Sequence, residues 1–110
     1  MATPEKAYYG IQITLADTNV HSLLALLTAI DGSLSNILQN VGEMSLQGDS
    51  QNSTNFIYVG DSSVSASRYG LKLAVNTIRT YSKEARSIPL GAMYVLASAA
   101  TVYLNVEIIP

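Results

Sequence analysis

The chain has 110 residues, no cysteine, one histidine and a formal net charge of −2, and only 13% of its residues are charged. Soluble domains average about 25% charged residues, and thirteen Ser, eight Thr and seven Asn supply much of the missing polarity here. The few cations form no dense basic run, which excludes a strong nucleic-acid footprint, and the lack of cysteine excludes disulfides and thiol chemistry.

The length predicts a single domain. We expect residues 1–6, which contain Pro4 and two charges, to form a flexible N-terminal arm, and residues 7–110 to form one domain. No stretch has the pattern of a signal peptide, and the apolar run at residues 23–30 is too short to span a bilayer. We therefore expect a soluble chain with no membrane partner, whose neutral polar surface favours contact with another protein or with copies of itself.

The first elements in chain order are a strand and a helix. Apolar residues alternate with polar ones from Tyr9 to Leu15, which predicts a half-buried strand. The period then changes to that of a helix near residues 19–30, and Asp17, Thr18 or Asn19 can cap its first turn. The apolar positions at helical spacing are Val20, Leu23, Leu24, Leu27 and Ile30.

The rest of the chain predicts short strands joined by Ser-, Gly- and Asn-rich turns. The strands lie at residues 43–47, 55–60, 64–67, 71–75, 78–81, 93–98 and 102–109. The polar stretch 48–54 is expected to be a mobile loop. Pro89 lacks a donor for a central strand, so we expect a turn there that places Ile88 and Leu90 in the core. About eight antiparallel strands and one short helix predict an all-β fold of two packed sheets or a small barrel.

Few residues offer catalytic or metal-binding chemistry. The single histidine, His21, falls in the first turn of the predicted helix, and we interpret it as a surface or boundary residue because a zinc site needs several ligands. Four Asp and four Glu show no calcium-loop spacing. Two carboxylates could still meet in space, which leaves a small hydrolase as an open alternative. We predict a non-enzymatic protein without a cofactor or a metal ion.

The seven tyrosines are more informative. Alternation can bury Tyr9, Tyr58 and Tyr94, and it places Tyr8, Tyr69, Tyr81 and Tyr103 on a polar face or at turns. Exposed tyrosine beside arginine is typical of protein interfaces. The predicted partner contacts are therefore Tyr8, Arg68, Tyr69 and Tyr103. The alternative is that these tyrosines complete a small core from its edge.

Three segments of the second half share a pattern of strands and turns. They read YVGDSSVS at residues 58–65, RYGLKL at residues 68–73 and IPLGAMYVLAS at residues 88–98. This pattern resembles small virion proteins of tailed bacteriophages, which commonly carry YVGDSSVSxSxYGxxL, then IPLxxLYVxAS, then VxV. The likeness covers residues 55–109, about half of the chain, and departs at Met93, where Leu is more usual. It includes no catalytic residues.

The closest proteins in kind are head decoration, or cement, proteins with a jelly-roll-like β-sandwich. The resemblance implies that fold, and it implies a protein that binds the outer capsid surface and staples neighbouring subunits of the major capsid protein. It would be made in the cytoplasm of the host bacterium and reside on the virion, as a homo-oligomer of two or three copies. A carbohydrate-binding jelly-roll module of a phage fibre or host enzyme is the alternative, although the lack of tryptophan argues against it.

Overall fold

The chain folds mainly into β-strands in a computed structural model, which describes residues 9–30, 32, 41–83 and 88–109. One short helix, α1, spans Leu23–Ile30. The strands are β1 (Tyr9–Leu15), β2 (His21–Ser22), β3 (Glu43–Gly48), β4 (Ile57–Gly60), β5 (Leu71–Leu73), β6 (Ile78–Ser82), β7 (Tyr94–Ala97) and β8 (Val102–Ile109). The predicted arm at residues 1–6 lies outside the described residues.

The eight strands form two antiparallel sheets, with the orders β1-β8-β3-β6 and β2-β7-β4-β5. The first strand pairs with the last, the second with the seventh, the third with the sixth and the fourth with the fifth. The additional pairs β3–β8 and β4–β7 complete the sheets. This nested pairing is that of an eight-stranded jelly roll. The predicted all-β sandwich of about eight strands with one helix is confirmed.

The core lies between the two sheets and is filled by alternate residues of their strands. On β8 the inward residues Val102, Leu104, Val106 and Ile108 are at most 1% exposed. The residues between them point to the other face of the sheet, where Glu107 is exposed. Burying one side chain of this size contributes roughly 2 kcal/mol of transfer free energy. The strand predicted at residues 102–109 is confirmed.

Helix α1 begins at Leu23, so the predicted start near residue 19 is wrong. The residues before it, His21 and Ser22, extend and pair with β7 instead of entering the helix. The cap is Ser22, whose Oγ accepts a hydrogen bond of 3.3 Å from the amide of Ala25. Leu23 and Leu27 are fully buried against the sheets. None of the described helices is long and apolar enough to cross a membrane.

The predicted cap Asp17 acts outside the helix. Its Oδ1 accepts a hydrogen bond of 2.9 Å from the amide of Asn19 and lies 2.7 Å from Nε2 of His21. The contact with His21, followed by the Asn19 amide, lowers the pKa of the Asp17 carboxyl group. His21 thus occupies the boundary position that was expected, but in an edge strand rather than in a helix.

The polar stretch at residues 48–54, predicted to be mobile, is anchored to β8. Asn52 is 2% exposed and makes two hydrogen bonds with the backbone of Tyr103. Its Nδ2 donates to the Tyr103 carbonyl at 2.9 Å, and its Oδ1 accepts from the Tyr103 amide at 2.8 Å. A short 3₁₀ turn, Ser50–Asn52, positions this side chain. A sequence pattern could not show this anchor, because the partner lies 51 residues away.

Replacing Asn52 should destabilise the domain more than any neighbouring polar substitution. We expect Asn52→Ala to lower the free energy of unfolding by about 2–3 kcal/mol, because two hydrogen bonds disappear and a buried amide loses its acceptor. Urea denaturation measures the change. Gln51→Ala, at an exposed position of the same turn, is the control and should stay within about 0.5 kcal/mol of the original chain. Equal effects of the two substitutions would contradict the anchor.

Candidate partner-binding site

The connection between β4 and β5 folds into a compact series of turns. Oδ1 of Asp61 accepts a hydrogen bond of 2.9 Å from the amide of Ser63, and the Asp61 carbonyl accepts one of 3.0 Å from Val64. Val64 is 3% exposed and packs on Gly60, where an added Cβ would lie 3.2 Å from its side chain. The strand predicted at residues 64–67 is therefore wrong, because Val64 is an apolar anchor for a turn.

The same connection closes through a second tight turn. Ser65 and Arg68 exchange two backbone hydrogen bonds, of 2.8 and 3.1 Å, around Ala66 and Ser67. The amide of Gly70 then donates to the carbonyl of Val59 at 2.8 Å, which returns the chain to the sheet. We call residues 61–70 the β4–β5 corner. Its backbone is fixed at both ends, so this loop would lose little backbone conformational entropy on binding.

Two of the predicted contact residues, Arg68 and Tyr69, lie together on this corner. Tyr69 is 44% exposed, and its ring centroid lies 5.0 Å from that of Tyr58. Nη2 of Arg68 donates to Oδ2 of Asp61 at 3.0 Å, and both side chains remain largely exposed. This hydrogen bond, with that from the Ser63 amide, lowers the pKa of the Asp61 carboxyl group. A hollow of about 310 Å³ lies among these residues.

A contact between a cation and an aromatic ring extends the surface next to the corner. Lys72 of β5 pairs with Tyr58 of β4, and its Nζ lies 4.0 Å from the ring centroid of Phe56. We call Phe56, Tyr58, Arg68, Tyr69 and Lys72 the aromatic surface. Tyrosine next to an exposed arginine is a composition that is enriched at the centres of protein interfaces.

The other predicted contacts lie elsewhere. Tyr103 is on β8, in the opposite sheet, with its side chain half-buried. Tyr8 lies outside the described residues. One flat partner surface cannot touch both outer faces of the sandwich, so the structure brings together Arg68 and Tyr69 but not Tyr103. A contact through Tyr103 stays a prediction for a different surface.

Sequence reasoning missed Phe56 and Lys72, whereas its expectation that Tyr58 can be buried is confirmed. Tyr58 is 8% exposed, but the neighbouring strand residues Ile57 and Val59 are the ones that point into the core cluster. Its burial comes in part from Tyr69, which lies over it. The signal that could have identified this surface is the pairing register of β4 and β5, which local alternation does not reveal.

Among the residues that the structure describes, no three His, Asp or Glu side chains form a group that could hold a metal ion. No model of a known protein family matches the chain, and no curated protein sequence matches it.

The lowered pKa of Asp61 has a consequence at acid pH. A carboxyl group with a folded-state pKa below its unfolded value stabilises the fold above that unfolded value, near pH 4, and the stabilisation is lost as pH falls through the folded-state pKa. Asp61→Asn keeps a turn-forming acceptor but removes the charge. We expect the melting temperature of this variant to fall less steeply on acidification below about pH 4 than that of the original chain.

Thermal unfolding followed by circular dichroism between about pH 7 and pH 2.5 measures this difference. Glu107→Gln, which makes the same charge change at an exposed position of β8, is the control. Identical pH profiles for Asp61→Asn and the original chain would show that the contact with Arg68 does not stabilise the corner.

Proposed function

We propose that this chain is a non-enzymatic structural protein of a bacteriophage virion, which binds the outer capsid surface and staples neighbouring major capsid subunits. One observation carries the proposal: two segments that resemble head decoration proteins, residues 58–65 and 68–73, build a single ordered corner that presents Arg68 and Tyr69. The jelly roll adds support because viral capsid domains use it. Because proteins with that fold also serve other functions, the proposal depends mainly on the β4–β5 corner.

The chemistry of the aromatic surface supports a protein partner. The ring of Tyr69 packs on the buried ring of Tyr58. This contact restricts the orientation of the Tyr69 ring before a partner binds, and the ring offers a large contact area. Tyrosine and arginine are the residues that most often dominate the energy of an interface. Arg68 and Lys72 fit carboxylates on the coat. The major capsid protein is the proposed partner, on the exterior of a particle assembled in the host bacterial cytoplasm.

Repetition strengthens such a contact. A capsid presents many equivalent sites, and a protein of two or three copies binds several of them at once. Linked binding events raise the overall affinity well above that of one contact. A modest surface on each copy is therefore sufficient to staple neighbouring subunits.

The opposite sheet offers one observation in favour of the alternative, a carbohydrate-binding module. On its outer face the side chain of Asn105 bonds Asp49 at 2.8 Å and Gln12 at 2.9 Å, on the strand that carries Tyr103. Amides, a carboxylate and a partly exposed ring are polar and apolar groups that could orient a sugar. Glycan-array binding that Asn105→Ala abolishes and Tyr69→Ala leaves unchanged would favour this alternative.

Co-sedimentation with empty heads assembled from the major capsid protein of the same phage tests the proposed role. We expect the chain to bind these heads and to raise their resistance to heat. Tyr69→Ala should weaken binding by about 2 kcal/mol, roughly thirtyfold, because it removes an anchor from the centre of the contact. Circular dichroism verifies that the variant is folded.

Tyr103→Ala, on the opposite sheet, is the matched comparison. We expect it to retain most of the binding that Tyr69→Ala loses. A loss of head binding in Tyr103→Ala but not in Tyr69→Ala would show that the contact lies on the other face of the sandwich. Failure of the original chain to bind heads at all would refute the decoration role.

A further inference from the structure

Strand β6 forms an exposed edge of the β1-β8-β3-β6 sheet. It has five residues, Ile78–Ser82, and within the described part of the chain it pairs with one strand, β3. Ile78 is 60% exposed, and Arg79 and Thr80 are exposed as well. An edge strand of β-branched and aromatic residues with a single charge is a template for pairing with another strand.

The two sides of the sandwich are covered differently. On one side α1 packs against β1 and β2. On the other side a cavity of about 300 Å³ opens between β6 and the β4–β5 pair, and the apolar part of its lining includes Val59, Leu71 and Met93. Arg79 and Tyr81 form the β6 wall of this cavity. No α-helix among the described residues covers this side.

The side chains of β6 alternate between the cavity and the outer face. Arg79 is opposite Leu46 and Tyr81 is opposite Met44, and both β3 residues are fully buried. Arg79 and Tyr81 therefore share the inner face, where the Arg79 Cζ lies 5.4 Å from the Tyr81 ring centroid. Thr80 is on the outer face, with its Oγ1 3.0 Å from Oγ of Ser45.

The backbone of β6 alternates in the same way. Beyond its two ends, Lys83 donates to the carbonyl of Gly42 at 2.8 Å, and the carbonyl of Thr77 accepts from Gly48 at 3.2 Å. In an antiparallel ladder every second residue makes these bonds. Residues 79 and 81 therefore bond to β3, and the amide and carbonyl groups of Thr80 point away from the sheet.

We propose that two copies of this chain pair through their β6 strands, antiparallel, about a two-fold axis at Thr80. In this register Thr80 bonds Thr80 of the second copy, and Arg79 lies opposite Tyr81 of the second copy. That second pair is not hydrogen-bonded, so its Cα atoms are only about 4.5 Å apart and the guanidinium group reaches the facing ring. The paired strands extend one sheet across both copies and cover the open cavities.

Arg79 also limits which pairing can form. A charge on the inner face of an edge strand normally prevents association with other strands. A register with the two Arg79 residues opposite each other would bring like charges together, whereas the Thr80-centred register gives each guanidinium group a ring. A two-fold pair uses both edges and ends there, so it does not propagate into a fibre. The dimer does not depend on the proposed capsid role.

Disulfide trapping tests the axis directly, because the chain has no cysteine of its own. Thr80→Cys places two thiols on residues about 5.5 Å apart across the axis, within disulfide range. We expect mild oxidation of the folded full-length variant to give a covalent dimer. Ser45→Cys is the control, on the same face but one strand further in, which separates the two thiols by roughly 14 Å. Trapping of Thr80→Cys no faster than that of Ser45→Cys would overturn the proposal.

Sedimentation velocity tests the contact without a new covalent bond. A five-residue strand pair is smaller than a standard interface, so we expect dissociation in the micromolar range or weaker. Arg79→Ala should weaken the dimer about fivefold to thirtyfold, because two symmetric cation–ring contacts are lost. Arg68→Ala, which removes an exposed arginine from the β4–β5 corner, should leave it unchanged. A chain that stays monomeric at all concentrations, or a dimer that Arg79→Ala leaves intact, would refute this interface.

Discussion

The fold depends on one strand that two distant parts of the chain share. Strand β8 pairs with β1 from Val102 to Ile108 and with β3 from Leu104 to Ile109. Its inward residues are almost completely buried. A slip of one residue in either pairing would turn the whole apolar row toward solvent. The register of β8 therefore sets the alignment of this sheet, and with it the position of the edge strand β6 and of the anchored turn at Asn52.

Because the sheets are packed face to face, the molecule presents two outer faces of different chemistry. One carries the amide cluster of Gln12 and Asn105 with Asp49. The other carries aromatic rings beside Lys72 and Arg68. The edge at β6 is a third, separate surface. This separation means that the proposed partner contact and the proposed contact between two copies would use different surfaces.

Local patterns were sufficient where burial alone determined the structure. Alternation identified β1, β3 and β8, and Pro89 marked the turn that buries Leu90. The same reasoning failed where a distant segment decided the outcome. His21 and Ser22 lie within the stretch of helical period, but they pair with β7 and form a strand. Adjacent Arg68 and Tyr69 could be named from the sequence as predicted contacts, whereas the position of Tyr58 next to the Tyr69 ring is known only from the fold.

The nested pairing of the strands has a consequence for synthesis. The ribosome delivers β1 early and β8 late, yet β8 is the strand that β1 and β3 both require. Contacts between residues so far apart in sequence form slowly. Until β8 emerges, two apolar strand faces lack their shared neighbour and are open to association with other nascent chains. We therefore expect the protein's yield in cells to depend on how long these faces stay open and on whether chaperones shield them in that time.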